Sequence, residues 1–164
     1  MEADRVVATV LVADIAGSTE RAAALGDRRW REVLDRFHAM VRREVARHRG
    51  TVVDLAGDGV LATFDAAARA IRSALALRDG ARRLGLEIRT GLHTGEVEVT
   101  GSRVAGICVH LTARVAALAA PGEILATGTV RDLVTGAGFR FADRGEHELR
   151  GVPGRWRVLA VQPS

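Results

Sequence analysis

The chain has 164 residues, 48% of them hydrophobic, and a formal net charge of +4. This length and composition predict one folded domain over residues 1–164 rather than a disordered chain. All 24 basic residues are arginines, and they stand among acids along the predicted helices, which favours solvated helix faces and no nucleic-acid partner. Aromatic residues make up only 4%, which is too few for a platform on which bases stack.

The first residues and the apolar runs indicate the cellular compartment of the protein. The sequence MEADRVV lacks the basic region and the long apolar core of a signal peptide, and no apolar run reaches the ~18 residues of a membrane span. We therefore expect a cytoplasmic protein without a membrane partner, either as an isolated domain or joined to regulatory domains of a longer chain. Cys108 is the single cysteine, which excludes an intramolecular disulfide and suggests a small buried side chain.

The first half of the chain predicts a strand, two helices and a hairpin, in that order. The strand is apolar on both faces, as expected at the centre of a sheet, and the second helix has an apolar stripe at spacings of three and four residues. Ser18 or Thr19 is the expected cap of the first helix. The predicted bounds are Val6–Ala13, a helix from Gly17, a helix from Asp27 to Gly50, and strands Thr51–Leu55 and Val60–Phe64.

The second half predicts alternating helices and strands. Asp65 is the expected cap of the first of these helices, and Gly91 and Gly95 are expected to interrupt the long strand that follows. The predicted bounds are Ala66–Leu84 (helix), Leu86–Thr100 (strand), 101–106 (loop), Ile107–Ala119 (helix), Glu123–Ala126 (strand), Thr127–Thr135 (helix), and Phe139–His147 and Trp156–Val161 (strands). The first seven elements have the βααββαβ order of a ferredoxin-like α+β fold. We therefore predict a mostly antiparallel central sheet with helices packed on it and a C-terminal αβ extension.

Two aspartates stand where apolar strands meet glycine turns. Asp14 ends the first strand, and Asp58 lies at the tip of the hairpin, before Gly59. Carboxylates next to free backbone N–H groups suit a divalent cation and a polyphosphate, and two that converge suit two-metal phosphoryl transfer. Taken singly, each has a plainer explanation, because Asp14 can cap a helix and Asp-Gly is a common hairpin turn.

The turn after the first aspartate is a second candidate for ligand binding. Backbone N–H groups at a helix N-terminus can receive phosphate oxygens, and four successive residues of this turn are in position to present them. These residues are Ala16, Gly17, Ser18 and Thr19.

Five stretches of the sequence form a specific pattern: VADIAGST, AGDGVLATF, IRTGLHTGEV, GICVHLTARVAALAAPGEIL and RGEHELRGVPG. In this order and spacing, over nearly the whole chain, they resemble the catalytic domain of class III adenylyl and guanylyl cyclases, most closely the mycobacterial and actinobacterial branch. The resemblance implies a head-to-tail homodimer with two active sites at the subunit interface. It also implies conversion of ATP or GTP to the 3′,5′-cyclic monophosphate and pyrophosphate.

The resemblance assigns roles to the two aspartates and to one helix. It implies that Asp14 and Asp58 bind two divalent cations, Mg²⁺ or Mn²⁺, with the Ile15 carbonyl as a backbone ligand. His110 and Arg114 lie four residues apart and therefore share one helix face. The resemblance implies that Arg114 stabilises charge on the transition-state phosphate, while His110 stands where most members have an asparagine that orients the ribose.

Two further arginines are candidates for binding the triphosphate. Arg89 matches an arginine on the strand before the turn at His93, and Arg150 stands where the family usually has a triphosphate-binding lysine. A guanidinium can hold phosphate with a forked rather than a point-like geometry. Either arginine can instead be an ordinary surface charge, and we interpret His93 as structural.

The positions that select the base in adenylyl cyclases have reversed charges here. Where that family has a lysine and an aspartate, this chain has Asp54 and Arg103. Guanine offers N1–H and N2–H donors to a carboxylate and O6 and N7 acceptors to a guanidinium, whereas adenine fits this pair poorly. The pair therefore favours GTP or a loss of base selection. Alternatively, the two side chains form a salt bridge across the interface, and the branch itself favours ATP.

Three functions are compatible with these residues. An active nucleotidyl cyclase is favoured by Asp14, Asp58 and Arg114, whereas the changes at positions 54, 103 and 110 favour a catalytically weak cyclase-like domain for nucleotide binding, dimerisation or regulation. A diguanylate cyclase is disfavoured, because the hairpin tip lacks the Gly-Gly-(Asp/Glu)-Glu-Phe string of that family. In an active dimer, we expect the two aspartates and Arg89 to serve one site. The residues expected to face the other site are Asp54, Arg103, His110, Arg114 and Arg150.

Overall fold

The computed structural model describes residues 2–163, which form eight strands and five helices. The strands are β1 (Asp4–Ile15), β2 (Thr51–Ala56), β3 (Gly59–Phe64), β4 (Ile88–Thr100), β5 (Arg103–Ala105), β6 (Ile124–Thr127), β7 (Arg140–Glu148) and β8 (Arg155–Gln162). The helices are α1 (Ser18–Leu25), α2 (Asp27–Arg47), α3 (Ala67–Arg83), α4 (Ile107–Ala117) and α5 (Gly128–Leu133). Among the described residues, no helix is long and apolar enough to cross a membrane.

The described strands form one sheet in the order β2-β3-β1-β4-β6-β8-β7, with β5 paired to the distal end of β4. The β4–β6 pair is parallel, and the other neighbours are antiparallel. This architecture confirms the predicted α+β class and its mostly antiparallel sheet. Strand β1 lies between β3 and β4. Helices cover both faces of the sheet there, which explains why its sequence is apolar on both faces.

The helices cover the two faces of the sheet unequally. Helices α2, α3 and α5 pack against the face that presents Leu11 of β1 to the main core. Helix α4 packs on the opposite face, mainly over β4 and β1. Because side chains alternate along a strand, Asp14 shares this second face with Val10 and Val12. The α4 side of the β2–β3 hairpin lies outside the main footprint of that helix.

Helix α4 approaches β4 closely at a glycine. A Cβ at position 91 would lie 2.5 Å from the Ala116 amide nitrogen and 2.7 Å from the Thr112 carbonyl oxygen. Strand β4 is continuous through Gly91 and Gly95, so the predicted interruption is wrong. These glycines make room for a packed helix instead of breaking the strand.

Several local predictions also differ from the structure. Helix α1 is capped by Gly17 in the left-handed region at φ +66°, so neither Ser18 nor Thr19 supplies a side-chain cap. Asp65 does not cap α3, because Ala66 is the N-cap residue and no side chain bonds the helix start. The Asp65 carboxylate instead accepts a hydrogen bond from Arg69 Nη1 at 2.7 Å. Strand β5 lies inside the segment predicted as a loop.

The single cysteine is buried, as the sequence predicts. Cys108 packs with Val10 and Val97 in a small core between α4 and the sheet. This burial raises the pKa of the Cys108 thiol to about 11, which keeps it protonated at neutral pH.

Candidate active site

The ends of three strands bring Asp14, Asp58 and Arg89 together. In the sheet register, Asp14 lies opposite Gly59 of β3 on one side and opposite Arg89 of β4 on the other. Directly opposed residues of antiparallel strands point to the same face, and Arg89 Nη1 lies 3.9 Å from Asp14 Oδ1. Asp58 immediately precedes Gly59, and its charge acts on Asp14. These three predicted residues therefore form one group, the carboxylate cluster.

The electrostatics of the carboxylate cluster favour a bound cation. Burial raises the pKa of the Asp14 carboxyl, while the Arg89 charge opposes this rise and the Asp58 charge adds to it. Asp14 Oδ1 is buried and has no hydrogen-bond partner among the described residues. A cation would satisfy this oxygen and also relieve the repulsion between the two carboxylates.

The donor set fits a small divalent cation. Two carboxylates and the Ile15 carbonyl are all-oxygen ligands, which Mg²⁺ and Mn²⁺ prefer. Within residues 2–163, no three His, Cys, Asp or Glu side chains gather at one place. Because Mg²⁺ usually binds through one or two carboxylates together with water or phosphate oxygens, the two aspartates are sufficient for such a site.

The turn after Asp14 has one amide fewer for phosphate than predicted. The Ala16 N–H donates to the Glu87 carbonyl at 2.8 Å, so that amide is not free for a phosphate oxygen and Ala16 is a correction to the predicted set. Helix α1 starts after Gly17, and the first amides of a helix have no intrahelical acceptor. The remaining candidates in this turn are Gly17, Ser18 and Thr19.

Arg89 is held on two sides. Its Nε donates to the Ala119 carbonyl at 3.1 Å, just beyond the end of α4, and its Nη1 faces Asp14. The side chain is 34% exposed. Arg89 is therefore a fixed positive charge at the edge of the carboxylate cluster and not a freely moving surface side chain.

A second group of predicted residues gathers on α4 and on the loop between β7 and β8. His110 Nε2 donates to the Arg150 carbonyl at 3.1 Å, which requires a proton on Nε2 because a carbonyl oxygen only accepts. Gly151, at φ +80°, permits this approach, since a Cβ there would lie 2.9 Å from the same Nε2. Together with Arg114, one turn further along α4, these residues form the histidine–arginine cluster.

Arg114 has an unsatisfied donor. Its side chain is partly buried, and its Nε is buried without a hydrogen-bond partner among the described residues. Buried donors are nearly always paired. The unpaired N–H of Arg114 is therefore an exception to this rule within the described residues.

Within one chain, the carboxylate cluster and the His110–Arg150 contact are separate. His110 precedes the last residue of α4, Ala117, by seven residues, or about 10 Å along the axis. Arg89 contacts the chain beyond that same end of α4. The carboxylate cluster and the His110–Arg150 contact thus lie near different ends of the helix.

The two predicted base-selecting residues do not contact each other. Asp54 pairs with Leu61 of β3, which pairs with Val12 of β1, so Asp54 lies on the same sheet face as α4. Arg103 lies on β5 opposite Thr100. Both side chains are exposed, and no ion pair among the described residues joins them, so both are free to meet groups from outside the chain.

His93 has the structural role that the sequence predicts. Its Nδ1 lies 2.6 Å from Thr127 Oγ1, and its ring meets the Trp156 ring edge-on at 5.5 Å. Burial lowers the pKa of His93 to about 4. The neutral ring therefore links β4 to β6 and β8.

The sequence patterns missed one side chain beside the carboxylate cluster. His38 of α2 bonds through Nε2 to the carbonyl of Gly57, the residue before Asp58, at 2.6 Å. Helical periodicity places His38 beside the apolar stripe of α2 but does not indicate its partner. The contact joins residues 19 apart, and this pairing depends on how α2 packs on the hairpin.

Comparison with known proteins agrees with this fold. Residues 2–161 match the family model described as the adenylate and guanylate cyclase catalytic domain. A putative adenylate cyclase of Rhizobium meliloti is 32% identical over 76% of this chain and 22% of its own length. An uncharacterized protein of Mycobacterium tuberculosis is 36% identical over 74% of this chain and 33% of its own length. The crystal structure of the adenylyl cyclase CyaB from P. aeruginosa has a TM-score of 0.91 at 23% identity, covering 100% of this chain and 97% of that one.

The match of residues 2–161 to the family model places this domain in the nucleotide cyclase class. The chain belongs to the adenylate and guanylate cyclase catalytic domain family, and the likeness to CyaB shows the shared fold. The chain spans between 18% and 39% of the lengths of the curated relatives that it matches.

Proposed function

We propose that this chain is the catalytic domain of a nucleotidyl cyclase, which converts a purine nucleoside triphosphate to its 3′,5′-cyclic monophosphate and pyrophosphate. The ribose 3′-oxygen forms a bond to the α-phosphorus as its hydroxyl proton passes to water. The bond from the α-phosphorus to the oxygen that bridges to the β-phosphate breaks. The observation that carries the proposal is the convergence of Asp14 and Asp58, with a buried unpaired oxygen, in a chain of the cyclase family.

Two divalent cations, Mg²⁺ or Mn²⁺, are the proposed cofactors. When bound, they acidify the 3′-hydroxyl and neutralise charge on the triphosphate. Asp14, Asp58 and the Ile15 carbonyl would hold them. Arg89 supports this role, because its charge lowers the pKa of Asp14 against the effect of burial and so favours the ionised carboxylate.

Two arginines of the histidine–arginine cluster are the proposed donors to the phosphates. Arg114 has a buried N–H without an acceptor, which suits charge that develops on the α-phosphate in the transition state. Arg150 would grip the triphosphate with a forked guanidinium, and its backbone is anchored by His110. The proposed amide donors are those of Gly17, Ser18 and Thr19.

The active unit is proposed to be a head-to-tail homodimer. Neither cluster is a complete site, and a two-fold arrangement would join each cluster of one chain to the complementary cluster of the other. Ile107 and Leu118, at the two ends of α4, are 56% and 44% exposed. Exposed apolar side chains beside His110 and Arg114 suit burial in an interface.

We propose that the substrate is GTP or that base selection is relaxed, although the branch as a whole favours ATP. Asp54 can accept from guanine N1–H and N2–H, and Arg103 can donate to O6 or N7. If Asp54 and Arg103 select guanine, purified protein with Mn²⁺ should convert GTP with a kcat/KM at least about tenfold above that for ATP, since one good bidentate contact contributes about 1–3 kcal/mol. Similar values for the two nucleotides would indicate relaxed selection. The double variant Asp54→Lys with Arg103→Asp should move the preference toward ATP. A strong ATP preference of the parent would exclude guanine selection.

The reaction is tested by replacing one carboxylate of the carboxylate cluster. Asp58→Ala should lower cyclic nucleotide formation at least about 100-fold, because a ligand for the catalytic cations is lost. Asp35→Ala, which removes an exposed carboxylate on α2, is the matched control and should leave the rate unchanged. Equal amounts of cyclic nucleotide from the parent and Asp58→Ala, or none from either, would contradict the proposed cyclase activity.

A second candidate is a catalytically weak cyclase-like domain that binds nucleotide and regulates a partner. It is favoured by the His110 side chain, whose Nε2 is engaged by the Arg150 carbonyl and is not free to orient a ribose. Calorimetric binding of GTP or ATP by the parent, without product over many hours, would support this candidate over the cyclase.

A further inference from the structure

Among the described residues, one side-chain hydrogen bond links the tip of the β2–β3 hairpin to helix α2. His38 Nε2 donates to the Gly57 carbonyl at 2.6 Å. Within residues 2–163, no other side-chain hydrogen bond reaches residues 56–59, which we call the hairpin tip. The link therefore depends on one imidazole from α2.

This bond acts on the peptide unit that joins Gly57 to Asp58. Ala56 and Gly59 are paired across the hairpin, so Gly57 and Asp58 are the two central residues of the turn. The orientation of that central peptide is what distinguishes one two-residue turn type from another. Gly57, at φ +56°, is free to change conformation at little cost. Because the peptide is planar, holding the Gly57 carbonyl also orients the backbone of Asp58.

The position of Asp58 needs such a support because the neighbouring carboxylate repels it. The Asp58 charge acts on Asp14, and repulsion between two like charges tends to move the carboxylates apart. Asp14 points to the α4 face of the sheet, whereas α2 packs on the opposite face. A bond from His38 therefore holds the tip from the side away from Asp14 and keeps the two carboxylates converged.

We propose that His38 is a positioning residue for Asp58 and thereby strengthens cation binding at the carboxylate cluster. The inference rests on the proposed function in so far as Asp58 is a metal ligand. It predicts a defect in metal affinity and in the order of the hairpin tip when the donor is lost.

Three variants separate the hydrogen bond from the packing of the ring. His38→Phe keeps an aromatic ring and removes the donor, and His38→Gln keeps a donor at a similar reach. His48→Phe is the matched control, because His48 also bonds a backbone carbonyl through its ring, that of Glu44 at 2.7 Å, at the far end of α2.

The full chain is examined by two measurements that do not require turnover. Hydrogen–deuterium exchange reports the order of the hairpin tip, and electron paramagnetic resonance of free Mn²⁺ reports metal binding. In His38→Phe, both the exchange rate at the tip and the Mn²⁺ dissociation constant should rise about five- to tenfold, as expected for the loss of one hydrogen bond. His38→Gln should stay within about twofold of the parent, and His48→Phe should match it.

Unchanged exchange at the tip in His38→Phe would overturn the proposal. So would faster exchange with unchanged Mn²⁺ affinity, or a parent that binds no Mn²⁺. A parent that binds Mn²⁺ but makes no cyclic nucleotide would contradict only the proposed reaction, and the His38 variants would still decide the role of His38.

Discussion

At the scale of single residues, Asp14 combines a proposed metal-binding position with a cost to folding. It lies at the end of a central strand beside a second carboxylate, and burial raises its pKa above the ordinary 3.8. A raised pKa means that the folded state disfavours the ionised form. The ionised carboxylate that a cation requires is therefore the form that destabilises the domain without the cation.

This conflict predicts that Asp14→Asn stabilises the domain while it removes activity. A carboxyl with a raised folded pKa costs nothing below the unfolded value of 3.8, where it is protonated in both states. The cost appears as pH rises through the folded pKa. Without metal, Asp14→Asn should therefore exceed the parent in unfolding free energy at pH 7, by less than about 1 kcal/mol because water screens a half-exposed carboxylate.

The check is urea unfolding in the presence of a chelator at several pH values. The difference between Asp14→Asn and the parent should shrink as pH falls toward 4. Asp35→Asn, on the exposed side of α2, should show no such gain. A variant that is less stable than the parent at pH 7 would mean that the Arg89 attraction outweighs burial and Asp58.

At the scale of elements, the packing of α4 on β4 determines where the histidine–arginine cluster lies. The contact is made backbone to backbone at Gly91, where α4 leaves no room for a side chain. At Gly95 the nearest atom to an added Cβ would be Cys108 Sγ, at 3.3 Å. Backbone atoms of a packed helix cannot shift as easily as a side chain can. A substitution at Gly91 should therefore cost more stability than the same substitution at Gly95.

Gly91→Ala should therefore destabilise the domain by about 1–3 kcal/mol, in the range of overpacked cores. Gly95→Ala should cost less than about 1 kcal/mol, because the Cys108 side chain can shift. Denaturant unfolding of both variants measures this difference. Because a displaced α4 also moves His110 and Arg114, Gly91→Ala should lower cyclase activity more than Gly95→Ala. Equal stability of the two variants would argue against the close packing of α4 on Gly91.

At the scale of the whole molecule, local patterns predict the fold and the carboxylates better than they predict long-range contacts. Asp14 and Asp58 each mark a strand that meets a glycine turn, and the sheet register then brings them together. The two glycines of β4 are ambiguous in the sequence. A glycine that interrupts a strand and a glycine that makes room for a packed helix look the same there. The three-residue β5 was missed, since its pairing depends on β4.

The contacts that tie the site together could not be predicted, because they join residues that packing alone brings close. His110 meets the Arg150 carbonyl across 40 positions, and His38 meets the Gly57 carbonyl across 19. In each contact the acceptor is a backbone carbonyl. Every residue has such a carbonyl, so the sequence does not indicate which one is used. The buried unpaired Nε of Arg114 is likewise a property of the folded chain.

The proposed head-to-tail homodimer, in which each site takes Asp58 from one chain and Arg114 from the other, predicts complementation between inactive chains. Asp58→Ala and Arg114→Ala should each inactivate both sites of their own homodimer, but a mixed dimer would retain one site with an intact Asp58 and an intact Arg114. If subunits exchange freely, half of the dimers are mixed and half of their sites are intact, which gives about a quarter of the parental activity. Mixing Asp58→Ala with Asp14→Ala is the control, because both changes fall in the carboxylate cluster and cannot complement. No activity in the first mixture would contradict a site shared between two chains, and activity in the control would mean that Asp14 and Asp58 serve different sites.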